Sequence, residues 1–511
     1  MSRREKLWLA VLALTSVVMR AVAFFRYRFD SDEPQHLHVA WGWTAGLVQY
    51  RDLFDNHTPL FHIVTSFILR AFGERPDILL VMRAPMVVLW AAVLGATYVL
   101  AKRLYDARVA AWSVMLLAVF PPFFLKTLEY RIDNLWTALW MGALVVLLRE
   151  PGRRPGAGAL FAFGLLLGAA LATSIKTSLL VITIVGVAVV AYGFAWLRHA
   201  IPALVGFALV PGALALYFMK EEAWDELVYC VFTFNAALSH TQLWTWAGRI
   251  AWPFVMVAIY VIARRRQFSL LAVGILIFVA TLTLLWPLIS PRDFLAIMPL
   301  AAILVVAHAP RKVVIGAAGL ALISLIYYAN RFENRTDEHI TMMRQVLRLT
   351  RPGEPVMDIK GETIYRRRPH YHAFEVITRE QFRRGMLRDT IAEDVVRARC
   401  HVAQADGPMF PPRGRAFLRA HFLDLGRLRA SGQALQRDGS FTIAVPGEYV
   451  ILNEGGEARG TLDGSAYSGA RELTPGAHRF VSVKPEEALA VLWAPAYRRG
   501  HTPFHLRDRE F

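Results

Sequence analysis

Asp32 and Glu33 stand side by side in RYRFDSDEPQHLHVAWGWTAGLVQYRDLFDNHTPLFH, residues 26–62, a stretch that follows one apolar run and precedes the next. A carboxylate at the edge of low-dielectric lipid is costly unless it is paired or used, so an acidic pair there points to function. Near apolar surface a carboxyl can have its pKa raised toward the working range and remove a proton as a general base. Asp32 is the candidate base, with a salt bridge to Arg26 or Arg28 as its competing role; Glu33 is expected to orient Asp32 or the neighbouring backbone. Further charges recur where apolar runs end: Arg131 two residues before Asp133, Lys176 between two runs, Arg83, and Arg292 beside Asp293. Such cations can bind an anion in the forked or point-charge manner of guanidinium and ammonium, or can serve as interfacial ion pairs and snorkelling side chains. Of His36, His38, His57, His62 and His240, two together with a carboxylate could hold a divalent ion, and Asp55, His57 and His240 are the candidate ligands. The competing role of these histidines is hydrogen bonding and capping.

The elements that must position these groups are membrane helices. The 511 residues are 55% hydrophobic and 19% charged, with mean hydropathy +0.37. Apolar runs long enough to cross a bilayer recur at 7–25, 78–101, 109–125, 134–148, 158–174, 177–197, 200–218, 244–263, 268–287, 294–309 and 312–329. That is about eleven spans. The basic loops SRREK, KRLYDAR, REPGRRPG, RH, ARRRQ and PRK fall on one face if the second span starts near Ile78, and the retention of Lys and Arg in the cytoplasm makes that face cytoplasmic. Residues 59–73 are then a helix lying along the outer surface, because counting them as a span would invert every later loop. The N-terminus has no small-residue cleavage pattern and is expected to be a retained anchor. The net charge of +17 is concentrated in residues 1–330, with an excess of 11 against 6 in residues 331–511, so topology accounts for it and no nucleic-acid partner is implied.

From Arg331 the apolar runs stop, and an odd number of spans places residues 331–511 outside the cytoplasm. Residues 331–435 alternate short strands (PVMDI, CHVAQA) with helical stretches as in a small α/β layer, whereas 436–511 show period-2 alternation broken by Pro-Gly and Asp-Gly turns, the pattern of a β-rich part. Cys230 and Cys400 are the only cysteines; both map to the outer side, either as buried small apolar residues or as a bridge between loop and tail.

The stretch DSDEPQHLHVAWGWTAGLVQYRDLFDNHTPLFH resembles the first outer loop (26–77) of GT-C superfamily membrane glycosyltransferases, with bacterial lipid A aminoarabinose transferases and protein O-mannosyltransferases as the nearest types. Asp32, Glu33, Gly46, Tyr50, Pro59 and Leu60 fit the order of their acidic pair, helix, Gly, Tyr and Pro-Leu step; TLEYRIDNL (127–135) resembles their second acidic motif, and ATSIKTS (172–178) their Lys-containing step. The chain departs from the aminoarabinose enzymes where Asn56-His57-Thr58-Pro59 replaces Glu-Lys-Pro-Pro, so a carboxylate there must come from Asp55 or be absent.

The resemblance implies an α-helical polytopic GT-C membrane domain, residues 1–330, followed by an extracytoplasmic domain, 331–511. It implies an inverting transferase in the bacterial inner membrane that moves a sugar from a polyprenyl (undecaprenyl) phosphate to a hydroxyl of an envelope lipid, glycan or protein on the periplasmic face. Asp32, Glu33 and Asp133 would then be catalytic, while Arg131, Lys176, Arg292, Arg83, Tyr50, Asp55 and His57 would contact lipid phosphate or substrate. No cofactor is required by this chemistry, and a divalent ion remains an open alternative. A transporter or flippase of polyprenyl-linked sugars is the other reading. It would call for duplicated broken helices near the midplane, and the charges here gather at span ends instead.

Overall fold

In lipid every backbone N–H and C=O must be satisfied within its own segment, which forces an apolar span to be helical. In a computed structural model of the protein, which describes residues 1–150, 153–236, 253–259, 270–286, 288–328, 333–404, 409–484 and 487–504, the first part of the chain is a bundle of helices. In order these are α1 (Arg3–Arg26), α2 (Glu33–Thr44), α3 (Leu60–Phe72), α4 (Ile78–Leu104), α5 (Ala107–Val119), α6 (Pro121–Lys126), α7 (Ile132–Leu147), α8 (Ala157–Thr173), α9 (Thr177–Tyr192) and α10 (Ile201–Lys220). Helices Leu270–Leu285, Met298–His308 and Arg311–Tyr328 follow. Among the described residues α1, α4 and α10 are long and apolar enough to cross a membrane, and seven further apolar helices are shorter. The span expected at 109–125 is broken at Phe120, where Pro121 and Pro122 open the separate α6. Most of the span expected at 244–263 lies outside the described residues.

Small residues let two helices approach until their backbones touch. A Cβ at Gly164 would lie 1.9 Å from the Ala203 carbonyl oxygen, and one at Gly168 2.2 Å from that of Phe207, so α8 and α10 meet only because glycine stands at both places. The loop between α1 and α4 is ordered by α2 and α3; α3 buries Phe61, His62, Thr65, Ser66 and Leu69 on one face and leaves Phe67 exposed, as an amphipathic helix does. Gly46 takes a φ of 74° that terminates α2 and turns the chain back toward Tyr50.

The tail begins with helix Asp337–Leu349 and strand Val356–Met357, which pairs in parallel with Val402–Gln404. That pair is the edge of an eight-stranded sheet continuing antiparallel through Leu428–Ala434, Ala490–Trp493, Gly447–Asn453 and Arg471–Leu473. A four-stranded sheet of Ser440–Ile443, Gly476–Ser482, Gly460–Leu462 and Ser465–Tyr467 lies beside it, and Phe441, Tyr467 and Phe480 share one core with Val450 and Leu492. Residues 358–375, between the first strand and helix Val376–Arg383, are irregular and cover the loop between α1 and α4. There Arg366 donates to Glu74 at 2.8 and 3.1 Å, Tyr365 to the Gly73 carbonyl at 3.2 Å, and Tyr371 to the Tyr50 carbonyl. A Cβ on Gly361, which has φ 100°, would come within 2.8 Å of the His38 ring, so glycine permits this contact as well.

Candidate active site

Five separate stretches of chain meet at one end of the helical bundle. The turn before α2 supplies Asp30 and Asp32, the end of α6 and the loop to α7 supply Lys126, Glu129 and Arg131, and the first turn of α7 supplies Asp133. Lys176 comes from the step between α8 and α9, Arg292 and Asp293 from a one-turn helix, and Lys360 from the tail. Local hydrogen bonds hold each stretch. Asp30 Oδ1 accepts from the Asp32 N–H at 3.2 Å, and Asp293 Oδ2 accepts from the Ser290 N–H and hydroxyl at 2.6 and 3.1 Å, closing a capping box.

Arg131 Nη1 donates to Asp30 Oδ1 at 2.9 Å and to Asp32 Oδ2, while its Nε reaches Asp133 Oδ2 at 3.4 Å. Arg292 lies 3.3 Å from Asp32 Oδ2 and 3.5 Å from Asp30 Oδ2. Lys176 Nζ bridges Asp133 Oδ1 and Asp293 Oδ1, each at 2.6 Å. Lys360 Nζ donates to Asp32 Oδ1 at 2.5 Å and to Ser31 Oγ at 3.1 Å, and Lys126 to Glu129 Oε1 at 2.6 Å. Five cations thus face five carboxylates, which is the condition for keeping so many charges out of water. The cluster is chemically suited to an anion, which would have to compete with the carboxylates for these cations.

The electrostatics correct one expectation. Burial alone would raise the Asp32 carboxyl, but the charges of Arg131 and Lys360, and the hydrogen bonds both donate, outweigh it and hold Asp32 well below the usual carboxylate range. Two other carboxyls are the ones raised. Burial and the neighbouring charge of Asp30 push Glu129 up to about 7, against the pull of Lys126 and Arg292, and one of its oxygens, Oε2, is buried with no hydrogen-bond partner among the described residues. Burial likewise pushes Glu375 up to about 7, with His57 opposing it and Asp32 adding to it; its Oε1 accepts from Asn56 Nδ2 at 2.7 Å.

Glu33 is fully buried, with Oε1 accepting from the Asp30 N–H at 2.7 Å and Oε2 from the Tyr130 N–H at 2.9 Å, so it orients the backbone that carries Asp32. Its partner Arg83 is equally buried and donates to the carbonyls of Phe24, Tyr27 and Arg28 at 2.9 to 3.0 Å, which ties down the end of α1 instead of facing the charge cluster. Tyr50, at φ 75°, is buried and donates to the His57 carbonyl at 2.6 Å. Asp55 accepts from Gln49 at 2.7 Å and pairs with His57 Nδ1 at 2.8 Å. The charge of Asp55 raises His57 although burial opposes it. His240 lies outside the described residues, and among the described residues no group of three or more His, Cys, Asp or Glu is arranged to hold a metal ion. His36 and His38 diverge as helix geometry demands, the first to His62 at 3.1 Å and the second to the Ile364 carbonyl at 2.8 Å. Cys230 and Cys400 are both buried and unbridged.

Sequence reasoning missed Asp30, Lys126, Glu129, Lys360 and Glu375 as site residues. Asp30 and Glu129 lie within the two acidic motifs, so a search for every carboxylate near the end of an apolar run would have found them. Lys360, in DIKG, carries no local signal at all.

Residues 56–218 match the model of the dolichyl-phosphate-mannose-protein mannosyltransferase family. The solved structure of ArnT from Cupriavidus metallidurans in the apo state is 12% identical, with a TM-score of 0.54 over 83% of this chain and 97% of that one. The same protein bound to undecaprenyl phosphate is 12% identical, with a TM-score of 0.58 over 83% and 98%. Comparison with curated protein sequences gave no significant match. In fold over most of its length, and in sequence over residues 56–218, the chain resembles the GT-C superfamily of membrane glycosyltransferases.

Proposed function

We propose that the protein is an inverting glycosyltransferase that moves a sugar from a polyprenyl phosphate to a hydroxyl of an envelope lipid, glycan or protein. The observation that carries this is the convergence of Asp32, Arg131, Asp133, Lys176 and Arg292 from distant span ends, in a fold shared with a protein solved with undecaprenyl phosphate. The donor is already activated, because phosphate leaves as a stabilised anion. The protein must bind that anion, align the acceptor and take its proton. In this reading Arg131, Lys176 and Arg292 hold the phosphate, Asp133 holds a sugar hydroxyl, and Asp32 accepts the proton as the acceptor oxygen bonds to the anomeric carbon and the carbon–phosphate oxygen bond breaks. Phosphate drawing Arg131 and Arg292 toward itself removes the charges that hold Asp32 low, so its basicity rises when the donor is in place. Asp55 and His57, paired with each other, are read as substrate contacts, and Tyr50 holds the His57 carbonyl. Mass spectrometry of envelope glycolipids and glycoproteins from a deletion strain is the direct test: loss of one glycosyl group is expected, and an unchanged envelope with impaired movement of polyprenyl-linked sugar across vesicles would turn the assignment to a transporter.

Lys176→Ala is expected to weaken undecaprenyl phosphate binding by roughly 10- to 100-fold, the worth of one charge-assisted hydrogen bond of about 1.5–3 kcal/mol. An unchanged Kd would remove Lys176 from the donor site.

The chemistry is placed at the outer face of a bacterial inner membrane, with about eleven spans, the N-terminus cytoplasmic and residues 331–511 periplasmic. The support is the alternation of basic loops. Both native cysteines are buried, so single probe cysteines can report the topology. One near Asp463 is expected to label in intact spheroplasts and one near Arg154 is not; the reverse pattern would overturn the orientation and the site's location together.

A further inference from the structure

The two oxygens of Asp32 are served by different parts of the chain. Oδ2 accepts from Arg131 and lies 3.3 Å from Arg292, both in the helical part. Oδ1 accepts from Lys360 Nζ of the tail at 2.5 Å, with the Ser31 hydroxyl 3.4 Å away. The two arginines have other carboxylates to hold: Arg131 also reaches Asp30 and Asp133, and Arg292 lies 3.5 Å from Asp30 and 3.8 Å from Glu129. Among the described residues Lys360 pairs with no carboxylate except Asp32.

The loop that carries Lys360 is braced from several directions. Asp358, fully buried, accepts from the Gly361 N–H at 2.8 Å and from the Thr363 N–H and hydroxyl at 2.9 and 2.7 Å, which closes residues 358–363 into a hook. Arg368 donates to Asp358 Oδ1 at 2.7 Å and to the carbonyls of Asp358, Ile359 and His372 at 3.1, 2.9 and 3.1 Å. The Lys360 N–H donates to Glu362 Oε2 at 2.7 Å, and Nζ, on a residue only 7% exposed, also reaches Ser31 Oγ at 3.1 Å. Anchored at backbone and at head, this ammonium stays on Oδ1 when an anion draws Arg131 and Arg292 away from Oδ2.

We propose that Lys360 is the positioning residue for Asp32: it keeps Oδ1 fixed while the donor phosphate takes Arg131 and Arg292, so that Oδ2 alone is freed to receive the acceptor proton. The tail then serves the proton-transfer step and not donor binding. A carboxylate released by all its partners would turn about its own bonds, and a misplacement of about 1 Å can cost roughly 10²-fold in rate. This role rests on the glycosyltransferase reading, whereas the pairing with Asp32 can be read without any transfer. Burial would raise Asp32, and the charges and hydrogen bonds of Arg131 and Lys360 outweigh it. The other charged groups around it are Asp30 on its own turn, His36 in the first turn of α2, Arg292, and Glu375 of the tail, with Asp133 and Glu129 behind the two arginines. All of them persist when Lys360 is replaced, so a neutral side chain there moves the Asp32 titration to higher pH.

The test is an infrared titration of the full-length protein in a maltoside detergent, with the Asp32 carboxyl band identified by its absence in Asp32→Asn. In Lys360→Met, and in Lys360→Gln as the variant to read if Lys360→Met does not fold, Asp32 is expected to take up its proton about one to two pH units higher than in the parent, the worth of one charge-assisted hydrogen bond. Turnover is expected to fall roughly 10- to 100-fold, with the Kd for undecaprenyl phosphate unchanged. A band that titrates as in the parent would overturn the inference, because Lys360 would then be a structural tie. Weakened undecaprenyl phosphate binding would overturn it by making Lys360 a phosphate ligand, and parent-like turnover by making it dispensable. A parent protein that transfers no sugar, with the band still moved by Lys360→Met, would instead sink the glycosyltransferase reading and leave only the ion pair.

Discussion

Asp32→Asn is expected to lower turnover by roughly 10²- to 10⁴-fold, the range over which a positioned general base contributes. The substitution keeps the shape of the side chain and removes its charge from among Arg131, Arg292 and Lys360. Those cations then lose a competitor for phosphate, so the Kd for undecaprenyl phosphate is expected to stay the same or to tighten. Slower turnover with equal or tighter donor binding is a combination that simple misfolding does not produce. Near-normal transfer, or a product with retained anomeric configuration, would remove Asp32 as the base. Glu129, with its carboxyl pushed up to about 7 and its Oε2 without a hydrogen-bond partner among the described residues, would then become the first group to examine in that role.

Glu33→Ala is expected to act on stability. Glu33 and Arg83 are both fully buried and lie 3.3 Å apart. Removing one member of a buried pair leaves the other charge uncompensated and typically costs about 3–5 kcal/mol. The loss is compounded because Glu33 also accepts the backbone N–H groups of Asp30 and Tyr130, which position the two acidic motifs against each other. Thermal unfolding in detergent should show a large drop in Tm together with loss of donor binding. A variant as stable as the parent but inactive would show instead that Glu33 takes part in the chemistry directly. The contrast with Asp32→Asn separates the roles of two adjacent carboxylates.

The two residues differ because of where the chain turns. Asp32 stands at the N-terminal boundary of α2, pointing into the charge cluster, while Glu33 begins the helix and points to α4 and the α6–α7 loop. The tail is what completes Asp32's surroundings. Lys360 comes from residue positions more than 320 away, and the neighbouring contacts of Tyr371 with Tyr50 and Glu375 with Asn56 keep that segment against the loop between α1 and α4. The tail is therefore part of the candidate site's electrostatics, even though the transmembrane part supplies most of its charges.

The helices, and the ends at which the charges gather, were legible in the sequence because lipid leaves an apolar run one backbone solution and makes an unpaired charge costly wherever it lies at depth. Asp32, Arg131, Asp133, Lys176 and Arg292 could be picked out for that reason, each at the end of a run. The break between α5 and α6 was missed: hydropathy runs across 109–125, and Pro121-Pro122, which opens α6, was not weighed against it. The partners of these residues were not legible. Nothing local pairs Lys176 with both Asp133 and Asp293, turns Arg83 onto the carbonyls of Phe24, Tyr27 and Arg28 at the end of α1 and just past it, or sends Lys360 to Asp32. The sign of the Asp32 shift was beyond reach for the same reason: burial and cation pairing push a carboxyl in opposite directions, a sequence reveals that it sits near lipid, and only the assembled bundle decides how many cations reach it.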